Sequence, residues 1–153
     1  MGSEMCIRDR YYGCREYGDF YAKAMSVFGK KYLERWKPDL IVPVPLHPRK
    51  KRMRGFNQAA YLAERLSVLT GIPWNEHLVK KIRSTRSQKK LNAIQRRQNL
   101  KNAYQVTEKI PGFSVLVVDD VYTTGSTADA MAMCLLEAGA EKVYFLTICA
   151  GRA

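Results

Sequence analysis

Two adjacent carboxylates, Asp119 and Asp120, stand between a run of apolar residues and a cluster of hydroxyls, and that order suggests a chemistry. Upstream lie Val115, Leu116, Val117 and Val118, three of them β-branched. Such a run predicts a strand buried on both faces of a parallel sheet and ending at the acids. Downstream come Thr123, Thr124, Gly125, Ser126 and Thr127, then an apolar-periodic stretch from Ala128 to Ala138 that predicts a helix. A small-residue turn entering a helix offers free backbone N–H groups at the positive end of the helix dipole, which suits a phosphate. The hydroxyls add donors, and Gly125 lets the backbone come close to an anion. A phosphate repels carboxylates, so Asp119 and Asp120 need another partner: sugar hydroxyls, a metal ion, or both. An anion cradle beside two hydroxyl acceptors describes a receptor for a ribose 5-phosphate.

Competing readings explain less. Adjacent acids at a strand end also occur as a solvated turn plus a helix cap. An aspartate that accepts a phosphoryl group, as in a receiver domain, would account for the acids but not for Thr-Thr-Gly-Ser-Thr. The chain carries no Gly-x-x-x-x-Gly-Lys-Ser/Thr, which excludes a P-loop nucleotidase.

Charge points the same way. Residues 47–101 hold 15 Lys and Arg against two acids, Glu64 and Glu76, so this third of the chain carries the whole net charge of +12. Concentrated cations imply a polyanionic partner, either a nucleic acid or a small, highly charged ligand. At 153 residues and 46% hydrophobic, the chain can build one cored domain. No apolar run reaches the ~20 residues of a membrane span, so no membrane insertion is expected and the expected location is the cytoplasm. Cys6, Cys14, Cys134 and Cys149 form no Cys-x-x-Cys pair, and the last two are expected as buried thiols. His47 and His77 receive no general-base role.

Elements must hold these groups in place. Helical spacing from Asp19 to Trp36 predicts one helix, stopped by Lys37-Pro38. Asp39 to Pro45 predicts a second buried strand, with Pro43 marking its end. Leu46 to Gln58 is expected as a loop carrying Arg49, Lys50, Lys51, Arg52 and Arg54. Asn57 caps a helix to Leu69, closed by Thr70-Gly71. Leu78–Ile82 and Ala103–Val106 are short strands, Arg83–Leu91 a mobile loop, and Asn92 a cap for a short helix to Leu100. Val143 to Cys149 predicts a last buried strand. Alternating strands and helices without internal repeats predict a parallel sheet.

The stretch Val115–Thr127 resembles the thirteen-residue signature of the type I phosphoribosyltransferases: four apolar residues, two acids, a short spacer, then Thr-Gly. Pro43-Val44-Pro45, Arg54-Gly55-Phe56-Asn57-Gln58, Thr85 and Gln88, and then Arg97 and Asn99 resemble the ComF (competence protein FC, GntX-like) branch, over roughly Tyr17 to Arg152. The resemblance implies an α/β, type I phosphoribosyltransferase-like fold, with a central, mostly parallel sheet flanked by helices. It implies that Asp119 and Asp120 hold the ribose hydroxyls of phosphoribosyl pyrophosphate as the catalytic acids, while Thr123, Thr124, Gly125, Ser126 and Thr127 hold the 5-phosphate. Arg49, Lys50, Lys51, Arg52 and Arg54 correspond to the pyrophosphate loop, and Thr85, Arg86, Gln88 and Lys89 to a flexible loop that closes over the reaction. Mg²⁺ is the implied cofactor, held mainly through the substrate, with no protein metal ligand assigned.

The function so implied is phosphoribosyl transfer to an unidentified acceptor, linked to competence and DNA uptake. Thr123 stands where purine-salvage relatives carry an acid, which argues against a hypoxanthine–guanine acceptor. The alternative is a non-catalytic module of the same fold, associated with nucleic acid or regulation. Single-stranded DNA, a competence-machinery protein and a second copy of the chain are the candidate macromolecular partners. Members of the branch usually begin with a four-cysteine zinc module, and here only Cys6 and Cys14 precede the core. Residues 1–16 are therefore left unassigned, as a scar or a truncated zinc module, and residues 17–153 form the expected domain.

Overall fold

The computed structural model describes residues 15–83, 92, 94–95, 98, 102–122 and 124–150. Its elements in chain order are α1 (Arg15–Phe28), α2 (Lys30–Trp36), β1 (Leu40–Pro43), α3 (Pro48–Arg54), α4 (Gln58–Thr70), β2 (Val79–Lys81), β3 (Tyr104–Val106), β4 (Ser114–Tyr122), α5 (Ser126–Glu137) and β5 (Lys142–Ala150).

The apolar run becomes the middle strand of a three-stranded parallel sheet of order β1-β4-β5. Leu40 pairs with Val115 on one side, and Val115 with Val143 on the other. Beyond β1 the backbone of Ile41 bridges to the segment around Trp74, accepting from Asn75 N–H at 3.0 Å and donating to Pro73 at 2.8 Å. Both faces of the sheet are covered. Val42, Val115 and Val117 pack with Ala130, Met131 and Leu135 of α5 and with Val79 and Tyr104. Ile41, Leu116 and Val118 pack with Ala22 and Met25 of α1 and Leu62, Ala63 and Leu66 of α4. Each fully buried Leu, Ile or Val adds about 1.5–3 kcal/mol to the drive for this arrangement. The α/β fold with a parallel sheet flanked by helices is therefore present.

Four expectations change. The first helix is two, because the chain turns at Gly29, where a Cβ would sit 2.5 Å from the Met25 carbonyl oxygen. The cationic loop is largely the helix α3. Pro48 occupies its first turn, the His47 side chain accepts the Arg49 N–H, and Gly55 closes it at φ +83°. Arg49, Lys50, Lys51 and Arg52 tolerate one another because all four side chains are exposed to water. The short strands β2 and β3 form a separate antiparallel pair, with Val79 opposite Val106 and Lys81 opposite Tyr104. Finally, β5 is only half-buried, since it borders the sheet with β4 on one side. Cys134 and Cys149 are likewise half-buried free thiols.

Asn57 holds the β1–α4 connection as its type suggests. Its Oδ1 accepts from Ala59 N–H at 3.0 Å, and its Nδ2 donates to the Val44 carbonyl at 3.1 Å. Asn92 and Gln95 likewise exchange side-chain and backbone hydrogen bonds as a capping box. Thr85, Arg86, Gln88 and Lys89 lie outside the described residues, as does Thr123. Among the described residues no helix is long and apolar enough to cross a membrane.

Candidate functional site

The chain leaves β1 toward the Trp74 bridge and leaves β4 toward β5, so the two connections diverge at the carboxyl edge of the sheet. A crevice at such a divergence is where α/β sheets bind ligands. Asp119 and Asp120 stand there, but inside β4 rather than beyond it. The parallel ladder runs on through Asp119–Thr147 to Tyr122–Ala150. In strand register Asp119 continues the Val115–Val117 row and Asp120 the Leu116–Val118 row, yet the two carboxyls stay within hydrogen-bond reach of each other.

Asp119 shares a small recess of about 30 Å³ with Tyr122, Thr124, Gly125, Ser126 and Thr127, so the structure joins this acid to the hydroxyl turn. Gly125 is the N-cap of α5 at φ +80°, and a Cβ there would meet the Tyr122 hydroxyl at 2.6 Å. The positive φ favours glycine, and a side chain there would also have to displace the exposed Tyr122 ring. The Thr124 hydroxyl accepts the Ser126 N–H at 3.3 Å and lies 2.9 Å from the Ser126 hydroxyl. The turn is thus ordered by its own side chains, with the first turn of a twelve-residue helix behind it.

The Asp119 carboxyl is pushed up to about 8. Burial is the largest cause, followed by the Asp120 charge and a side-chain hydrogen bond with Asp120, while the Asp120 backbone N–H and then the Lys81 ammonium pull it down. Its Oδ1 accepts the Asp120 N–H at 2.8 Å. Lys81 is itself lowered from the ordinary lysine value by burial and by Lys50, and raised by Asp119. Its Nζ lies 5.7 Å from the centre of the Tyr104 ring. Tyr104 is raised to about 12 by burial and by Asp119, against a hydrogen bond with Thr127. Four elements thus meet around one half-buried carboxyl: Lys81 from β2, Tyr104 from β3, Asp119 from β4 and Thr127 from α5.

Lys81 and Tyr104 carry no motif, and the sequence reading passed over them. One signal was available. If Val79 points inward in a strand, so does Lys81 two residues on. Of the expected pyrophosphate cations, Lys51 lines a larger cleft of about 460 Å³ between α3 and the 76–82 segment, and Lys50 is close enough to act on Lys81. Arg49 and Arg52 are exposed on α3. Among the described residues no group of three or more His, Cys, Asp or Glu side chains could enclose a metal.

A parallel sheet carrying an acid pair and a hydroxyl turn at its carboxyl edge is the arrangement of the phosphoribosyltransferases, and residues 15–153 match the phosphoribosyl transferase domain: the chain belongs to that family. Among curated relatives it is 41% identical over 112 residues to the DNA utilization protein YhgH of Escherichia coli K12, covering 73% of this chain and 49% of that protein. It is 40% identical over 109 residues to Competence protein F of Haemophilus influenzae, covering 69% and 48%. Competence protein ComFC of Bacillus subtilis is 32% identical over 120 residues, covering 78% and 47%. Within the family these relatives put it on the ComF branch, and the chain spans about half their length. Among solved structures, phosphoribosylpyrophosphate synthetase of Mycobacterium smegmatis superposes with a TM-score of 0.54 at 18% identity, over 83% of this chain and 33% of that one. The purine phosphoribosyltransferase of Pyrococcus horikoshii gives 0.50 at 21%, over 84% and 69%. At such identities the likeness is one of fold.

Proposed function

We propose that this domain, residues 17–153, binds phosphoribosyl pyrophosphate with Mg²⁺ and transfers the phosphoribosyl group to an acceptor, in a process linked to DNA uptake. The observation that carries this reading is the shared recess of Asp119 with Thr124–Thr127. A carboxylate that accepts sugar hydroxyls and a turn that donates to a phosphate lie side by side. Thr124, Ser126, Thr127 and the backbone at Gly125 hold the 5-phosphate. Asp119 accepts a ribose hydroxyl, and Asp120 reaches the ligand beside it.

In the transfer, the bond from C1 to pyrophosphate breaks with its electron pair leaving on oxygen, and a lone pair of the acceptor forms the new bond to C1. The developing anion needs neutralisation and exact placement more than covalent help. Lys81 and Lys51 supply positive charge from β2 and α3. The donor set fits Mg²⁺ only in part. Carboxylate oxygens suit a hard cation, but among the described residues two acids without a third ligand do not enclose one. Asp119 and Asp120 would contribute to holding the ion together with ligand oxygens, and it would supply further neutralisation of the leaving group.

Calorimetric titration of the chain with phosphoribosyl pyrophosphate, with and without Mg²⁺, tests the reading. Saturable binding that weakens in Asp119→Asn supports it, and no binding in either condition rejects it.

A further inference from the structure

Strand β5 has an open edge: β4 pairs one side of it, and among the described residues no strand pairs the other. The far border of the sheet differs, because Ile41 of β1 is bonded there to the Pro73–Asn75 segment. The Glu141 N–H donates to the Phe113 carbonyl at 2.8 Å, on the β4 side. Alternation then turns the backbone N–H and C=O groups of Tyr144, Leu146 and Ile148 away from β4, toward the open edge. Native sheets usually protect such an edge with lysine, proline or a bulge. Here Val143–Cys149 holds no charge and no proline, and each of its residues is half-buried. Beside it, Phe28 at the end of α1 is 84% exposed, next to Gly29, where a Cβ would lie 3.7 Å from the Leu146 side chain.

The strand is complementary to itself. A two-fold axis through Leu146, perpendicular to the sheet, sets two copies antiparallel. Leu146 then stands opposite Leu146, Tyr144 opposite Ile148 and Phe145 opposite Thr147, with the outward N–H and C=O groups exchanged in hydrogen-bonded pairs. At about 3.3 Å per residue, the nine residues of β5 make an edge about 30 Å long. A helix about 10 Å wide on each face brings the contact to about 600 Å² per copy, or about 1,200 Å² in all, the lower end of stable interfaces. Charge favours the same side. The cations of α3 follow β1 at the far border, whereas residues 102–150 hold six acids against Lys109 and Lys142. Two copies of a chain with net charge +12 therefore repel least when they approach through β5. We infer that two copies of this chain associate through β5, antiparallel about Leu146, into one continuous sheet. The axis closes the contact, so it makes a dimer and not a filament. It also points the two carboxyl edges in opposite directions, which leaves each Asp119 site open. The inference does not rest on the ligand assigned to that site.

Sedimentation equilibrium on the full chain, over about a hundredfold range of concentration, tests this. The mass should rise to twice that of one chain. Phe28 is the position to change, because it is exposed and belongs to neither buried cluster. Since Gly29 lies against Leu146, the axis brings the two copies of Phe28 into one neighbourhood. Phe28→Glu and Phe28→Lys each place like charges there, and each should weaken the dimer by about tenfold or more with an unchanged circular dichroism spectrum. An equimolar mixture of the two variants should dimerise more tightly than either alone, because Glu then meets Lys. A single-chain mass throughout overturns the inference. So does a dimer that both variants leave unchanged, or a mixture no tighter than its components.

Discussion

The Oδ1 of Asp119 accepts the backbone N–H of Asp120 at 2.8 Å, and the two carboxyls lie within hydrogen-bond reach of each other near the end of β4. One carboxyl turns into a crowded, largely buried junction with Lys81, Tyr104 and Thr127. Those surroundings make Asp119 differ from an ordinary aspartate.

That difference has a pH signature. Asp119 binds its proton up to about 8 in the folded chain, against 3.8 ordinarily. Between these values the folded state holds a proton that the unfolded state has released, so stability is greatest at the acid end and is lost as pH rises toward about 8. Thermal unfolding of the ligand-free chain across this range should show the decline, and Asp119→Asn should flatten it. Equal slopes in the two proteins would mean that Asp119 is ionised throughout.

Ligand affinity should respond to each acid separately. Measured above about pH 8, where Asp119 is ionised, Asp119→Asn and Asp120→Asn each remove a charged acceptor, at a cost of about 1.5–3 kcal/mol, or roughly ten- to hundredfold in phosphoribosyl pyrophosphate affinity. Both variants should keep the wild-type circular dichroism spectrum. Unchanged affinity in both would remove the ribose-hydroxyl assignment.

Lys81 should tune Asp119. Its ammonium lowers the carboxyl's pKa, so Lys81→Met leaves Asp119 protonated to higher pH. The pH at which phosphoribosyl pyrophosphate affinity reaches half its plateau should therefore move upward, and Lys81→Arg should move it back. A weaker ligand with an unshifted midpoint would make Lys81 a contact to the anion alone.

Gly125 is constrained in two ways that a double variant separates. Gly125→Ala places a side chain at φ +80°, costing about 1–2 kcal/mol, and directs its Cβ at the Tyr122 hydroxyl. In a Tyr122→Ala background the steric part disappears and the conformational part stays. Denaturant unfolding should then still report a loss of about 1 kcal/mol on adding Gly125→Ala. If the loss vanishes, contact with Tyr122 was the whole reason for glycine.

Asn57→Ala removes both the α4 cap and the tether to Val44, with an expected loss of about 1–2 kcal/mol in denaturant unfolding. Asn57→Asp keeps the cap but not the tether and should fall between the two. Equal stability of wild type and Asn57→Ala would show that water replaces both bonds.

The sequence alone determined the central strand, the flanking layers and the order of acids, hydroxyl turn and helix, because each is written in local pattern. A short β-branched run bounded by turn residues favours an inner strand, Asn57 and Gly71 punctuate α4, and Gly125 opens α5. Helix α3 was missed because five cations in six positions hide a helix whose start and stop lie in Pro48 and Gly55. The extension of β4 through the acids was missed because polar residues normally end a buried strand, and β5 supplies the pairing that carries it on. Only the tertiary structure could decide that the Asp119 carboxyl is largely withdrawn from water while staying in contact with Asp120. It alone brings Lys81 and Tyr104, 38 and 15 residues upstream, to the Asp119 carboxyl. Burial and charge at that junction arise from elements distant in the chain, and no local pattern encodes a sum over distant neighbours.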